Sequence, residues 1–171
     1  MSERIIQALL RLFAVFAKTE VDKSDKIKIV ELFLANQLNK ELAKKYLPSF
    51  EQEYDEVRND ISRITEKASL KEDLDAEKIK FKIEAKLSAR IHKIGNSINE
   101  ELTQRQKLYV VISLLEFIST DSRISDLDKE FMNALVDDLN LNHEEYEQLC
   151  DFILHPFLEI PDSENLMIIN N

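Results

Sequence analysis

Apolar residues recur along this chain at the three- and four-residue steps of an α-helix, in segments separated by short polar turns. The most apolar stretch covers residues 108–118, LYVVISLLEFI, interrupted only by Ser113 and Glu116. A run that is apolar nearly all round belongs at the centre of a helical protein. With charged flanks it is too short to span a bilayer. Thr103 and Gln106 have capping-box spacing at its start, which decides the β-branched Val110, Val111 and Ile112 in favour of helix. The other helices are expected to lie around this one.

Before it, Ile6, Leu9, Leu10, Phe13, Phe16 and Ala17 predict a first helix, with Ser2 as its cap. Ser24 is placed to cap a second, with Asp25 in its first turn and Ile27, Val30, Leu34 and Leu38 on its apolar face, Leu32 and Phe33 alongside. Asn39 caps a short third segment over 40–47. Pro48 then restarts the chain, with Ser49 and Gln52 as a capping box. Phe50, Tyr54, Val57, Ile61, Ile64 and Ala68 follow as a narrow heptad-like seam.

Residues 75–98 read two ways. Ile79, Ile83, Leu87, Ile91, Ile94 and Ile98 make one helical face, yet 78–91 also alternates strictly polar and apolar like a strand. Fourteen residues is long for a strand, and Asp75 suits a helix cap, so a helix is expected, paired with the preceding one as an antiparallel hairpin. Ser125 with Asp128 is a further capping box, opening a helix over 126–139 that carries Phe131 and Leu135. Asn142 with Glu145 opens the last, with Tyr146, Leu149, Cys150, Ile153 and Leu154, ended by Pro156. Residues 157–171 are expected to be an extended tail leading into further protein, because the strand-like 166–169 has nothing to pair with.

Composition narrows the functional classes. The 171-residue chain holds one glycine, Gly95, where average usage would give roughly a dozen. That favours an all-α fold and excludes a P-loop or a dinucleotide fingerprint, each of which needs several glycines in one loop. The net charge of −10 opposes nucleic-acid phosphates. Cys150 is the sole cysteine, so neither an intrachain disulfide nor a cysteine-based zinc site is available. With no secretory signal read at the N-terminus, a cytoplasmic location is expected.

Two stretches match at an offset of about one hundred residues: LFAVFAKTEVDKSDKIKIVELFLANQLNKE from Leu12 and LLEFISTDSRISDLDKEFMNALVDDLNLNHEE from Leu114. Val21 matches Ile124, Asp25 matches Asp128 and Leu38 matches Leu141. This pattern resembles the TerB-like (tellurite-resistance TerB) family, whose all-α halves carry an acidic turn of the type A-D-G-x-[IV]-S-x-x-E. Thr120, Asp121, Ser122, Arg123, Ile124, Ser125 and Asp128 follow it, with serine for the glycine and aspartate for the glutamate. In the first half Lys18 and Thr19 replace its aspartate and glycine. The segments around Ile98–Gln104 and Ile160–Leu166 also resemble TerB-like N-terminal regions of large bacterial ABC-transporter-type ATP-binding proteins.

The resemblance implies a TerB-like helical bundle over 1–156, with pseudo-repeated halves 1–47 and 103–156 joined by a long hairpin over 49–98, then the tail 157–171. It implies a non-catalytic regulatory or docking domain, the N-terminal part of a larger ATP-binding protein. Its partners would be the downstream domains and a protein or membrane surface, with no nucleic acid. The alternative it implies is a stand-alone divalent-metal-binding stress-response domain.

Two candidate sites follow. Asp121 and Asp128 offer oxygen ligands of the kind Ca²⁺ or Mg²⁺ prefers, although Arg123 and Leu127 occupy positions an EF-hand would need, and the competing reading makes Asp128 a cap. Lys78, Lys82, Lys86, Arg90 and Lys93 fall at steps of four, four, four and three. A helix gathers them into one basic stripe, suited to an anionic partner or lipid surface unless the neighbouring Glu51, Glu53, Asp55 and Glu56 neutralise it. His92, His143 and His155 are scattered, and no nucleophile–base constellation can be drawn from order or spacing.

Overall fold

A computed structural model describes residues 3–17, 23–69, 75–119 and 124–154. Among these residues the chain forms seven helices and no strand. They are α1 (Glu3–Phe16), α2 (Lys23–Gln37), α3 (Lys40–Ser69), α4 (Ala76–Asn99), α5 (Gln104–Ser119), α6 (Asp126–Asp138) and α7 (His143–Leu154). The Ser2 cap, the turn around Asp121 and the tail 157–171 lie outside the described residues.

The run at 108–118 is a core helix, as its composition requires. Val110, Val111, Leu114, Leu115 and Phe117 of α5 are buried, and Glu116 faces solvent. It does not hold the centre alone. Ten of the fourteen residues of α1 are buried, and α1 packs against α3, α4 and α5. Phe13 joins the two central helices: its ring centroid lies 4.8 Å from that of Phe117 and 5.0 Å from that of Phe33 on α2.

Several expected caps are present. Asn39 Oδ1 accepts from the Leu42 amide at 2.9 Å, Asp75 caps α4, and Thr103 N–H donates to Gln106 Oε1 at 2.9 Å ahead of α5. Ser125 and Asp128 form both halves of their capping box. Asn142 Oδ1 accepts from the Glu144 amide at 2.8 Å. Asn140 (φ 51°) ends α6 in the left-handed region, with the Leu141 amide bonded back to the Val136 carbonyl at 3.1 Å. Asparagine there takes the place usually given to glycine.

Two expectations need correction. Pro48 does not restart the chain: α3 runs unbroken through it. Ala43, Tyr46, Phe50, Tyr54 and Val57 form one buried stripe across the proline, and α3 packs on α1, α2 and α4. Burying three aromatics as one rod, at about 1.5–3 kcal/mol each, outweighs the roughly 3 kcal/mol an interior proline costs. Pro48 itself is exposed, so the carbonyl it leaves unbonded can reach water. Gln52, instead of capping, donates from its side-chain amide to Glu56. Second, Ser24 lies inside α2, which begins at Lys23, and Leu32 is 63% exposed, off the buried face set by Val30 and Leu34.

Residues 78–91 are helical, as expected, and the α3–α4 hairpin is packed into the body of the fold. The later part of α4 is buried at Leu87, Ile91, Ile94 and Ile98, and α4 packs against α1, α3 and α6. The single glycine marks the closest approach. A Cβ added at Gly95 would sit 2.8 Å from Asp138 Cβ and 3.2 Å from Leu135 Cδ1, so α4 and α6 can cross this closely only without a side chain at 95. Toward the free end of the hairpin, Ile61, Ile64, Ile79 and Ile83 are only partly buried and Phe81 is 70% exposed.

Candidate functional site

Helix α4 carries the basic stripe, and packing divides it. Arg90 turns toward α3, with Nη2 2.9 Å from Asp60 Oδ2 and Nη1 4.0 Å from Glu53 Oε2. Lys86 Nζ lies 3.7 Å from the same Asp60 oxygen, and Arg11 Nε of α1 donates to Glu53 Oε1 at 2.9 Å. Arg11, Glu53, Arg90, Asp60 and Lys86 thus form an alternating ladder across three helices. Glu53 is among the neutralising residues expected from the sequence. Asp60 is not, and Glu51 and Glu56 make no ion pair with this stripe among the described residues. The middle of the ladder, Glu53, Arg90 and Asp60, is only partly exposed, so its charges are screened less than those of the exposed Arg11 and Lys86 at its ends.

Lys78, Lys82 and Lys93 remain exposed, with no carboxylate in salt-bridge range among the described residues. At 100° per residue they share one face of α4 with Phe81, Ala85, Ala89, His92 and Asn96, and all eight residues are exposed. Within α4 no acidic residue lies on that face: Glu77 and Glu84 fall on its flank, and Glu84 pairs with Lys80 at 3.8 Å, while Asp138 of α6 reaches its edge at His92. The face runs about 22 Å from Lys78 to Lys93 at the helical rise. In a chain of net charge −10 it is a cationic strip with an exposed aromatic near one end.

The acidic turn offers less. Asp121 lies outside the described residues. Asp128 is buried, and its Oδ2 accepts from the Ser125 amide at 3.1 Å and the Ser125 hydroxyl at 2.8 Å. That is the capping role expected as the competing reading. Among the described residues no group of three or more His, Cys, Asp or Glu side chains is arranged to hold a metal ion.

Two contacts have no signal in the sequence. His92 Nδ1 lies 2.8 Å from Asp138 Oδ2, tying α4 to α6 beside Gly95, and His143 Nε2 lies 2.7 Å from Asp137 Oδ1. Neither histidine has a spacing motif, because each partner is set by a helix crossing or a helix end.

Cys150, expected in the core from its helical face, is only half-buried. With Leu115, Ile118, Ile124, Met132 and Tyr146 it lines a largely apolar pocket of about 180 Å³ between α5, α6 and α7. Burial pushes its thiol above the ordinary cysteine range. A hydrogen bond from Tyr146 opposes that shift, and the charges of Asp151 and Glu147 add to it. A thiol held protonated in this way is a poor nucleophile.

No helix among the described residues is long and apolar enough to cross a membrane. No family model matches the chain, and no curated protein or solved structure matches it.

Proposed function

We propose that this chain is a non-catalytic docking domain that engages an acidic partner through the outward face of α4. The observation that carries the reading is the division of the stripe. Lys86 and Arg90 pair with carboxylates of the fold, while Lys78, Lys82 and Lys93 have no carboxylate in salt-bridge range among the described residues and stand beside an exposed phenylalanine. Unpaired cations on one face steer a negatively charged partner toward it and fix its register. The TerB-like resemblance supports the wider setting: two pseudo-repeated halves around a long hairpin, in the N-terminal region of a larger cytoplasmic or membrane-associated ABC-type ATP-binding protein. The downstream domains or a separate protein would then supply the acidic surface.

The alternative, a stand-alone TerB-type divalent-metal domain acting in tellurite resistance, draws on Asp121 and Asp128. It has less support, since one Asp128 oxygen is already engaged in capping α6. Heat on calorimetric titration with Ca²⁺ or Mg²⁺ would favour it.

The docking reading is tested with labelled polyglutamate, a probe of charge alone, followed by fluorescence anisotropy. Wild-type protein is expected to bind it at low salt and to lose it as salt rises. The triple variant Lys78→Glu, Lys82→Glu, Lys93→Glu should not bind. Equal binding by both proteins would place any anionic contact elsewhere and overturn the reading.

A further inference from the structure

His92 is held in a way that turns a nucleophile outward. A carboxylate can only accept hydrogen bonds, so the contacts from His92 Nδ1 to Asp138 Oδ2 at 2.8 Å and Oδ1 at 3.0 Å make Nδ1 the donor. In the neutral ring the lone pair then lies on Nε2. The Asp138 side chain is 11% exposed and that of His92 is 48% exposed, so a fixed carboxylate orients an open ring. Nε2 makes no hydrogen bond to the described residues. His143 lacks this arrangement: its Nε2 is the nitrogen engaged, at 2.7 Å, and its partner Asp137 is 69% exposed.

The residues one turn from His92 along α4 are Ser88 and Ala89 on one side and Gly95 and Asn96 on the other. None is bulkier than asparagine, which leaves the ring open to a donor group. Lys93 follows in the chain, exposed and with no carboxylate in salt-bridge range among the described residues. A cation there suits a transferred group that is itself anionic. His92 and Asp138 belong to no set of three or more potential metal ligands among the described residues, so the pair offers a nucleophile and its orienter.

We infer that His92 is a phosphoryl-acceptor site, served by a donor whose phosphorus is bonded to a protonated nitrogen. Nε2 attacks phosphorus with its lone pair and forms a new P–N bond. The donor's own P–N bond breaks, and its electron pair leaves with the donor nitrogen as a neutral amine. Nδ1 keeps its proton on Asp138, whose charge offsets the positive charge the ring gains. One P–N bond replaces another, and no further reactant is consumed. Asp138 acts as a positioning residue. The site is independent of the docking reading, with which it shares only Lys93.

The experiment treats the full chain with potassium phosphoramidate and follows intact mass, with the modified atoms mapped by fragmentation and phosphorus NMR at neutral pH. The wild type should take up a phosphoryl group on His92 Nε2 at least about tenfold faster than on His143. His92→Gln should lose the fast uptake. Asp138→Asn keeps the side chain's size and removes its charge. It should slow uptake at His92 by a similar factor and move the imidazole nitrogen-15 signals away from the Nδ1–H tautomer, and Asp138→Glu should restore part of the rate. Thermal melting checks that the variants stay folded, and the ratio of His92 to His143 is read within the wild-type protein alone. Equal rates at the two histidines would show an ordinary exposed imidazole and overturn the inference. Uptake unchanged in folded D138N, or a phosphoryl group on Nδ1 of His92, would contradict the geometry and overturn it as well.

Discussion

Replacing Phe13 by alanine is expected to destabilise the fold by about 3–5 kcal/mol. Phe13 is 1% exposed, and its ring meets Phe33 edge-on at 76° and Phe117 at 39°. Truncation removes both ring contacts and leaves a cavity where α1, α2 and α5 meet. Neighbouring helices can collapse only partly into such a space, so the transfer and cavity terms add. Against a typical total of about 5–15 kcal/mol, the loss should move the denaturant midpoint far toward zero. Urea unfolding followed by circular dichroism measures it. A shift below about 1 kcal/mol with unchanged slope would mean that α1 does not carry the core.

The second large effect is expected at the only glycine. An alanine at 95 gains about 1 kcal/mol of helix propensity, so propensity alone predicts stabilisation. Geometry predicts the opposite. The new Cβ would meet Asp138 Cβ at 2.8 Å, an atom fixed to its backbone, so α4 and α6 must separate. Overpacking of this kind costs about 1–3 kcal/mol and rises with side-chain volume. Gly95→Ala should therefore be neutral to destabilising, and Gly95→Val should lose about 3 kcal/mol. The displacement should also break the 2.8 Å contact between His92 and Asp138. Thermal melts of the two variants decide between propensity and packing: a higher melting temperature for both would show that the crossing has room.

Much of the helical plan is readable from the chain because it rests on local chemistry. The Ser125–Asp128 box, the Asn39 and Asp75 caps and the Thr103–Gln106 pair act within a few residues of themselves, so spacing is enough to find them. In α4 the scarcity of glycine and the row of isoleucine and leucine at helical steps outweigh the strand-like alternation, and the helix forms.

What the chain does not disclose depends on tertiary context. Pro48 reads as a break because locally it is one. Only the stripe from Ala43 to Val57, packed as a single surface, shows why the helix continues. The all-round apolar run of α5 is the more conspicuous in sequence, yet α1 is the more thoroughly buried. Its polar residues Glu3, Arg4, Gln7 and Arg11 fall within one narrow sector of the helix, which leaves the rest of its circumference free to pack.

The basic stripe is visible as five cations at helical spacing. Which of them are neutralised is not, because that depends on the rotation of α4 against Asp60 and Glu53. Sequence spacing therefore locates the candidate face but cannot separate the ladder-forming Lys86 and Arg90 from the outward Lys78, Lys82 and Lys93. Gly95 likewise counts only as composition until Asp138 and Leu135 are found against it.

The claim that α4 turns a docking face outward is tested most directly by residue-resolved amide shift mapping during titration with polyglutamate. Saturable changes should cluster between Lys78 and Asn96, centred on Lys78, Lys82 and Lys93, and should fade as salt is raised. Changes centred instead on α2 or α7, or none along α4 at saturating polyglutamate, would contradict the account.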